Sequence, residues 1–534
     1  MKKYGIMLPL LLVLFLYLPF LGNAFVSDDI AGIVHGVSRW SWVESIGWPK
    51  VIHLGVLLQF WTYYMFGLVP WVFRLTNILF HMGNVVLVWL LVQKCFKKPI
   101  VSFLASVLFA IHPLAIESIT WISGGVYAQY AFFFLIALYW YDDKAFWRRL
   151  GSVVSFILSL LISEKAVPLL FVFILYEWVY GNVKTHWKRM MPYVLVWICF
   201  ILFYISRIGV RVSDVGQASY QTTSGFYNPL LQIPIAISSY LELFIWPKNL
   251  TLYHASSYGS NWELAIRMLV TAGFLMAAVY GVVRKRPFGF WLSWVVCSLG
   301  ITLLPFKIGW IVAERYAYLA FIGLCVVVGM IFDTLLSIKR WYVVGVCAIT
   351  VVILALCTRT IVRNNDWRTE DSLWVATAMV SPDNEHSWNN MGDVYSRHGE
   401  YEKSIEAFTR ATRINPNYAD AYHNIGNTYI QMKKYNEAAP FFEQALSINP
   451  NLWQSYQDLA IVALANKQYP QAIAYFKKAI AINPHEAVLW TNMAVVYLEL
   501  GEKDKAKEAI DAAFVIDPTN PEARILQKRI LELP

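Results

Sequence analysis

The chain has 534 residues, 58% of them hydrophobic and 16% aromatic, with only 15% charged. A soluble domain carries roughly 25% charged residues, so this composition excludes a water-soluble enzyme and indicates a membrane protein. The net charge of +9 is unevenly spread: residues 1–380 hold 29 Lys/Arg against 16 Asp/Glu, and residues 381–534 hold 15 against 19. The basic surplus belongs to loops beside membrane helices, so nucleic acid is not expected as a partner.

Lys2-Lys3, an apolar run from Ile6 to Phe20 and Gly22-Asn23-Ala24 have the form of a secretory signal. An uncleaved first helix is the expectation, because cleavage after Ala24 would leave the next residues on a loose terminus. Those residues are Phe25-Val26-Ser27-Asp28-Asp29. Two adjacent carboxylates where a helix leaves the bilayer are costly, and such groups usually mark a site. The plain alternative is that the pair only ends a helix in water.

Candidate membrane spans follow at 6–24, 73–93, 99–111, 126–141, 151–163, 166–180, 191–207, 263–283, 287–304, 316–336 and 341–358. Eleven spans put the N-terminus inside and residue 359 onward outside. The short inner pieces this predicts are 1–5, 94–99, 142–150, 181–190, 284–287 and 337–340. They carry 16 of the 29 basic residues of the membrane half, as the positive-inside rule requires. Pro229 to Trp246 is apolar enough to cross, but a crossing would move Arg284-Lys285-Arg286 outside, so a re-entrant or interfacial helix is expected. Residues 25–72 read as a large outer loop rich in Trp40, Trp42, Trp48, Trp61 and Trp71, with Val51 to Phe66 along the membrane surface. All six cysteines lie in or beside apolar segments and no CxxC occurs, so neither disulfide nor zinc frameworks are expected.

The C-terminal part is periodic. Pro382, Pro416, Pro450, Pro484 and Pro518 recur every 34 residues. Each unit has an aromatic at its fourth position (Trp388, Tyr422, Tyr456, Trp490) and Gly or Ala at its eighth (Gly392, Gly426, Ala460, Ala494). Ala411, Ala445, Ala479 and Ala513 recur at the helix crossing, and Phe408, Phe442 and Phe476 are matched by Ile510. This is the tetratricopeptide (TPR) pattern of paired helices. The fold class is therefore all-α: a polytopic membrane helix bundle followed by a TPR α-solenoid. The expected domains are 1–360 in the membrane, a linker and half-repeat helix over 361–384, four repeats over 385–518 and a capping helix over 519–534. The aromatic and Ala positions are solenoid core; binding belongs to the concave face, whose residues the pattern leaves free.

The acidic pair after the first helix resembles that of the integral-membrane (GT-C class) glycosyltransferases that use lipid-linked sugars. Further stretches are similar to the transmembrane-and-TPR O-mannosyltransferases over nearly the whole chain. They are Phe66-Gly67 through Pro70 with Asn77 and His81, His112-Pro113 with Glu117, Pro247 with Leu250 and Tyr253, Glu314-Arg315-Tyr316-Ala317-Tyr318, and Arg363-Asn364 with Asp366-Trp367. The chain departs from that family at Ser163-Glu164-Lys165, where the family shows Ser-Lys-Glu. The resemblance implies a polyprenyl- or dolichyl-phosphate sugar as donor and inverting transfer to a hydroxyl, with a protein acceptor bound by the repeats.

Such a transfer needs a base for the acceptor hydroxyl, and a carboxylate with a raised pKa suits it. Asp28 and Asp29 are the candidates, Asp29 the preferred one, and Glu117 is a third catalytic candidate placed to orient the acceptor or a basic partner. The alternative use of the pair is to hold Mg²⁺ or Mn²⁺, although no His/Asp cluster completes a metal site. The leaving phosphate is already anionic and calls for cations: Arg315, Lys165 and His112 are the candidates. Glu164, Glu314 and Tyr318 are expected in support; structural ion pairs at helix ends are the plain alternative for Glu314-Arg315 and Glu164-Lys165. No cofactor motif is present: the chain has no Walker loop, GxGxxG, GxSxG or HExxH. The expected location is a bacterial inner membrane with periplasmic repeats, or an ER membrane with luminal repeats. Two other readings stay open: a non-enzymatic membrane scaffold for envelope assembly, and a ligase or polymerase using lipid-diphosphate oligosaccharides.

Overall fold

The computed structural model describes residues 5–36, 54–217, 228–254, 260–303 and 311–532. Trp40, Trp42, Trp48 and the start of the surface segment 51–66 lie outside the described residues or at their edge. Among the described residues every regular element is helical. The chain divides into two compact units, Met1–Val380 and Ser381–Pro534.

The first unit begins with α1 (Met7–Tyr17), α2 (Leu54–Phe66), α3 (Pro70–Phe96), α4 (Pro99–Ile111), α5 (Val126–Trp140), α6 (Phe146–Ile162) and α7 (Leu170–Val179). It continues with α8 (Val183–Gln217), α9 (Pro229–Ile245), α10 (Asn261–Val283), α11 (Pro287–Leu299), α12 (Ala320–Ser337), α13 (Tyr342–Asp366) and α14 (Glu370–Val380). Each of the eleven expected spans contains a helix among the described residues. Among the described residues five stretches are long and apolar enough to cross a membrane by themselves: Pro70–Phe96, Val183–Ser206, Asn261–Val283, Ala320–Ser337 and Lys339–Asp366. The others are shorter because a 3-10 turn, often with a proline, breaks the helix at one end. Proline opens α3, α4 and α11, where its missing N–H costs nothing.

The short helix α4 is the centre of the unit. From Val101 to Ile111 nearly every residue is buried, and α1, α3, α12 and α13 pack around it. At one end of the bundle lie the basic loops: Lys98 pairs with Asp333 at 2.6 Å, Lys94 pairs with Asp142, and buried Glu177 takes His186 at 2.8 Å and Arg189 at 3.1 Å. At the other end α1, α4, α6 and α11 stop, and the chain turns through 3-10 segments at Pro113–Ser118, Ser123–Gly125, Glu164–Leu169 and Glu314–Ala317. The unit reaches further than the expected boundary at 360. Helix α13 runs unbroken to Asp366, and α14, the expected half-repeat, belongs to the same unit.

The second unit is the solenoid, with four helix pairs in the expected register: α15 (Glu385–Arg397) with α16 (Tyr401–Ile414), α17 (Ala419–Gln431) with α18 (Tyr435–Ile448), α19 (Trp453–Ala465) with α20 (Tyr469–Ile482), and α21 (Ala487–Glu499) with α22 (Lys503–Ile516). Helix α23 (Pro521–Glu532) closes it. The eighth position is small for a steric reason: a Cβ on Gly426 would lie 2.8 Å from the ring of Phe442, and one on Gly392 2.7 Å from Phe408. The turn inside each repeat places one residue in the left-handed region, at Gly399, Lys433, Lys467 and Gly501, again 34 apart.

Candidate active site

The acidic pair sits just beyond α1, and the backbone there is strained. Ser27 has φ +56°, a left-handed conformation costing a non-glycine residue about 1–2 kcal/mol. It starts a tight turn in which Val26 and Ser27 accept from the N–H groups of Asp29 and Ile30, at 3.1 and 3.0 Å. This turn sends the two carboxylates to different surroundings. Asp29 is fully buried. Its Oδ1 accepts from the Ser123 N–H at 2.8 Å and the Ser123 hydroxyl at 2.6 Å, and its Oδ2 accepts from the Val26 N–H at 3.4 Å. Burial pushes Asp29 up to about 6 against the opposing pull of those hydrogen bonds and of Arg74. Asp28 is exposed. Enough protein surrounds it that lost hydration still raises its pKa, and nearby Arg315 opposes the rise.

Two glycines let the Ser123 turn come this close. A Cβ on Gly124 would overlap the carbonyl of Glu117, and one on Gly125 would overlap the amide of Asn77. Arg74, in the first turns of α3, holds the other side. Its guanidinium donates to the carbonyls of Thr120 at 2.9 Å and Leu21 at 3.2 Å, and to those of Asn23 and Ala24. Asn364 of α13 donates to the Leu16 carbonyl at 3.2 Å, and Asn23 donates to that of Trp367 at 3.1 Å. Helices α1 and α13 are thereby tied together beside the acidic pair.

The turns at 113–118 and 314–317 pack on each other. Glu117 is fully buried, and its Oε2 accepts from both the backbone N–H of Arg315 at 3.0 Å and its guanidinium at 3.2 Å. Glu314 is also buried and is paired with Arg363 at 3.1 Å; Arg363 reaches Asp366 at 3.3 Å. Burial and the neighbouring Glu314 raise Glu117, whereas for Glu314 the effect of burial is outweighed by Arg363, His254 and the Thr251 N–H together, which hold it below the ordinary range. Any proton held by the pair resides on Glu117.

Arg315 lies over two rings, 5.2 Å from the centroid of Trp121 and 5.1 Å from that of Tyr316. Lys165 lies 4.4 Å from the Tyr316 centroid and 5.8 Å from that of Tyr127. Tyr316 thus has a cation against it from each of two separate turns, and both cations are partly exposed. Burial works against the charge on Lys165, but Tyr127, Tyr316 and Glu164 more than offset it and its pKa stands above the usual value. The inverted Glu164-Lys165 order therefore still delivers a cation, because Ser163 caps the 3-10 turn by accepting the Lys165 N–H at 3.3 Å.

His112, expected with the phosphate-binding cations, is placed differently. It is buried and stacked on Phe244 at 4.9 Å; its Nδ1 accepts from the Leu114 N–H at 3.2 Å and its Nε2 donates to the Phe244 carbonyl at 3.0 Å. Burial lowers it to about 4, so it is neutral near pH 7 and its role is to cap a turn. Tyr318 points into the helices, its hydroxyl 2.7 Å from His81 Nδ1 and 3.0 Å from Asn84 Nδ2. Ser123 and Tyr127 complete the cluster without having been singled out, and Tyr316 and Arg363 enter it from quoted motifs in which no role was assigned to them. Arg74 was readable, since an arginine inside the predicted span 73–93 is the kind of intramembrane charge that needs a partner. The hydroxyl and phenol groups carried no such signal. Among the described residues no three or more His, Cys, Asp or Glu side chains are grouped to hold a metal ion.

Family models described as tetratricopeptide repeat match residues 383–451, 419–485 and 463–530. The chain is 25% identical over 393 residues to Protein O-mannosyl-transferase TMTC3 of Homo sapiens, which covers 66% of this chain and 43% of that protein. It is 23% identical over 444 residues to Protein O-mannosyl-transferase Tmtc3 of Drosophila melanogaster, covering 67% of this chain and 48% of that protein. It is 22% identical over 442 residues to Protein O-mannosyl-transferase TMTC2 of Homo sapiens, covering 65% and 52%. The chain spans about half the length of the curated relatives it matches.

Proposed function

From the kinship of this integral-membrane chain with the transmembrane-and-TPR protein O-mannosyltransferases, we propose that it moves a sugar from a polyprenyl-phosphate carrier to a hydroxyl of a protein acceptor. The observation that carries the reading is that exposed Asp28 lies near enough to Arg315 to feel its charge, and that Arg315 and Lys165 lie together against the Tyr316 ring.

In this mechanism Asp28 takes the proton of the acceptor hydroxyl. The acceptor oxygen bonds to the anomeric carbon as the bond from that carbon to the phosphate oxygen breaks, with inversion. The lipid phosphate leaves carrying the electron pair, and Arg315 and Lys165 meet its added charge. Arg315 offers a planar fork and Lys165 a point charge, and a partly desolvated site strengthens both. Asp29 and Glu117 act one step back as positioning residues: Asp29 fixes the Ser27–Asp29 turn on Ser123, and Glu117 fixes Arg315. This assigns the base to Asp28 in place of Asp29, because the Asp29 oxygens are already committed to donors. The acceptor is held by the repeats, and the site faces away from the basic loops, on the outer side of a bacterial inner membrane.

The test is transfer of labelled sugar from a polyprenyl-phosphate donor to a small hydroxyl acceptor by purified protein in nanodiscs. Asp28→Asn is expected to lose turnover while still binding donor. Full activity of well-inserted Asp28→Asn would overturn the assignment. Activity that requires Mg²⁺ or Mn²⁺ and falls on chelation would replace the Arg315–Lys165 reading with a metal bridge between Asp28 and phosphate.

A further inference from the structure

The turn between α10 and α11 carries Arg284, Lys285 and Arg286 in succession, at the end of the bundle that holds the basic loops. The turn is fixed from beneath. Helices α10 and α11 touch where Gly281 meets Gly289: a Cβ on Gly281 would lie 2.4 Å from the Gly289 Cα, and one on Gly289 2.2 Å from the Gly281 carbonyl carbon. The backbone then closes on itself. The N–H groups of Arg284, Lys285 and Arg286 donate to the carbonyls of Tyr280, Val282 and Gly281 at 2.9, 3.0 and 2.7 Å. Lys285 takes φ +50° in this turn, in the left-handed region where glycine is the usual residue. A strained residue held by its surroundings points to a use for its side chain.

The three cations are uncompensated. All are exposed, and among the described residues none has an ion pair. The carboxylate of Glu177, at the end of α7 beside this turn, is withdrawn from them. It is fully buried and already held by His186 at 2.8 Å, Arg189 at 3.1 Å and the Asn182 N–H at 3.3 Å. The next residue, Trp178, is exposed, and its indole N–H donates to the Val282 carbonyl at 3.0 Å. That bond ties the ring to the turn, with Lys285 Nζ 5.4 Å from the ring centroid. Arg284 stands 5.9 Å from the ring of exposed Tyr280.

This arrangement matches the two parts of a phospholipid at the membrane surface. Tryptophan and tyrosine rings favour the headgroup layer, where their faces meet glycerol and the first acyl carbons. The cations meet the phosphate: each arginine offers a planar fork and the lysine a point charge. Like charges in succession repel one another, and a bound anion relieves the repulsion. Basic clusters beside membrane helices attract anionic lipids for the same reason. A turn already ordered by glycine packing and backbone hydrogen bonds loses little freedom when the ligand arrives.

We propose that the Arg284–Arg286 turn and Trp178 form a binding site for the phosphodiester headgroup of an anionic phospholipid. The site is separate from the candidate active site and independent of the sugar-transfer reading.

The experiment is native mass spectrometry of the full chain in detergent with equimolar phosphatidylglycerol and phosphatidylcholine of identical acyl chains. Wild type is expected to retain phosphatidylglycerol at least fivefold more tightly. Arg284→Gln combined with Arg286→Gln is expected to shrink that ratio several-fold. Lys285→Gly is expected to shrink it too while raising the melting temperature, because it relieves the left-handed lysine; damage to the fold then cannot explain the loss. Trp178→Phe keeps a ring but removes the tie to Val282, and should weaken retention of both lipids. Lys144→Gln combined with Arg149→Gln is the charge control. Those two cations are exposed and, among the described residues, have neither an ion pair nor an aromatic ring against them. Their removal should leave the ratio unchanged. Equal retention of the two lipids, a ratio untouched by both turn variants, or an equal fall in the charge control overturns the site; the last outcome leaves only diffuse attraction by net charge. Displacement of phosphatidylglycerol by glycerol 3-phosphate at matching concentration overturns the lipid assignment in favour of a soluble phosphate ester.

Discussion

The membrane unit and the repeats use polar side chains in opposite ways. In the repeats the charged residues lie mostly on helix surfaces, and the core beneath them is largely alanine with Phe442, Phe476 and aliphatic side chains such as Leu459, Val462 and Met493. In the membrane unit many polar residues of the candidate site are buried, and several of their contacts join segments far apart in sequence. Asp29 meets Ser123, Glu117 meets Arg315, and Asn364 meets Leu16. A solenoid can vary its inner face at little cost to stability, because each rung answers only to its neighbours. The membrane site has no such freedom: its buried charges are ion-paired or hydrogen-bonded, and removing a partner strands the group left behind.

The largest expected effect tests that contrast directly. Asp28→Asn should lower turnover by about 10²–10⁴, roughly 3–5 kcal/mol of barrier, with little change in thermal stability. Asp28 is exposed and anchors nothing among the described residues, so a drop in melting temperature equal to that of Asp29→Asn would show that the two carboxylates do not differ in role.

Glu117→Ala should act on stability as well as rate, by about 3–5 kcal/mol, because it leaves Arg315 without its buried partner. Glu117→Gln keeps an acceptor for the Arg315 N–H and should recover much of the folding but less of the turnover. Differential scanning fluorimetry beside the transfer assay separates the two.

The pH profile gives a third test. Lost hydration raises Asp28, and a base works only when deprotonated. Turnover should therefore climb as pH rises through a value above the ordinary carboxylate range, then level off. An acid limb at the ordinary value would mean that Asp28 is fully hydrated when substrate is bound.

The smaller effects belong to the repeats. Gly426→Ala must displace the Phe442 ring and should cost about 1–3 kcal/mol, read as a lower melting temperature of the array. Lys433→Gly relieves a left-handed lysine and should stabilise by up to about 1 kcal/mol. Neither should alter transfer to a small acceptor.

Sequence alone determined the helix inventory and the repeats, because both rest on local periodicity: apolar runs of span length, and prolines 34 residues apart. It also brought forward an acidic pair, a Glu-Arg and an inverted Glu-Lys, which are conspicuous in an apolar chain. Only the tertiary structure decided how each is placed. Asp28 and Asp29 are neighbours in sequence, and a left-handed Ser27 with a hydroxyl 94 residues away separates an exposed carboxylate from a locked one. His112 reads as a cation until burial and two hydrogen bonds make it a neutral cap. Tyr316 carries no signal of its own and becomes central because Lys165 and Arg315 arrive on it from different turns. Side-chain charge in a membrane protein depends on burial and partners, and both are set by contacts that no local pattern records.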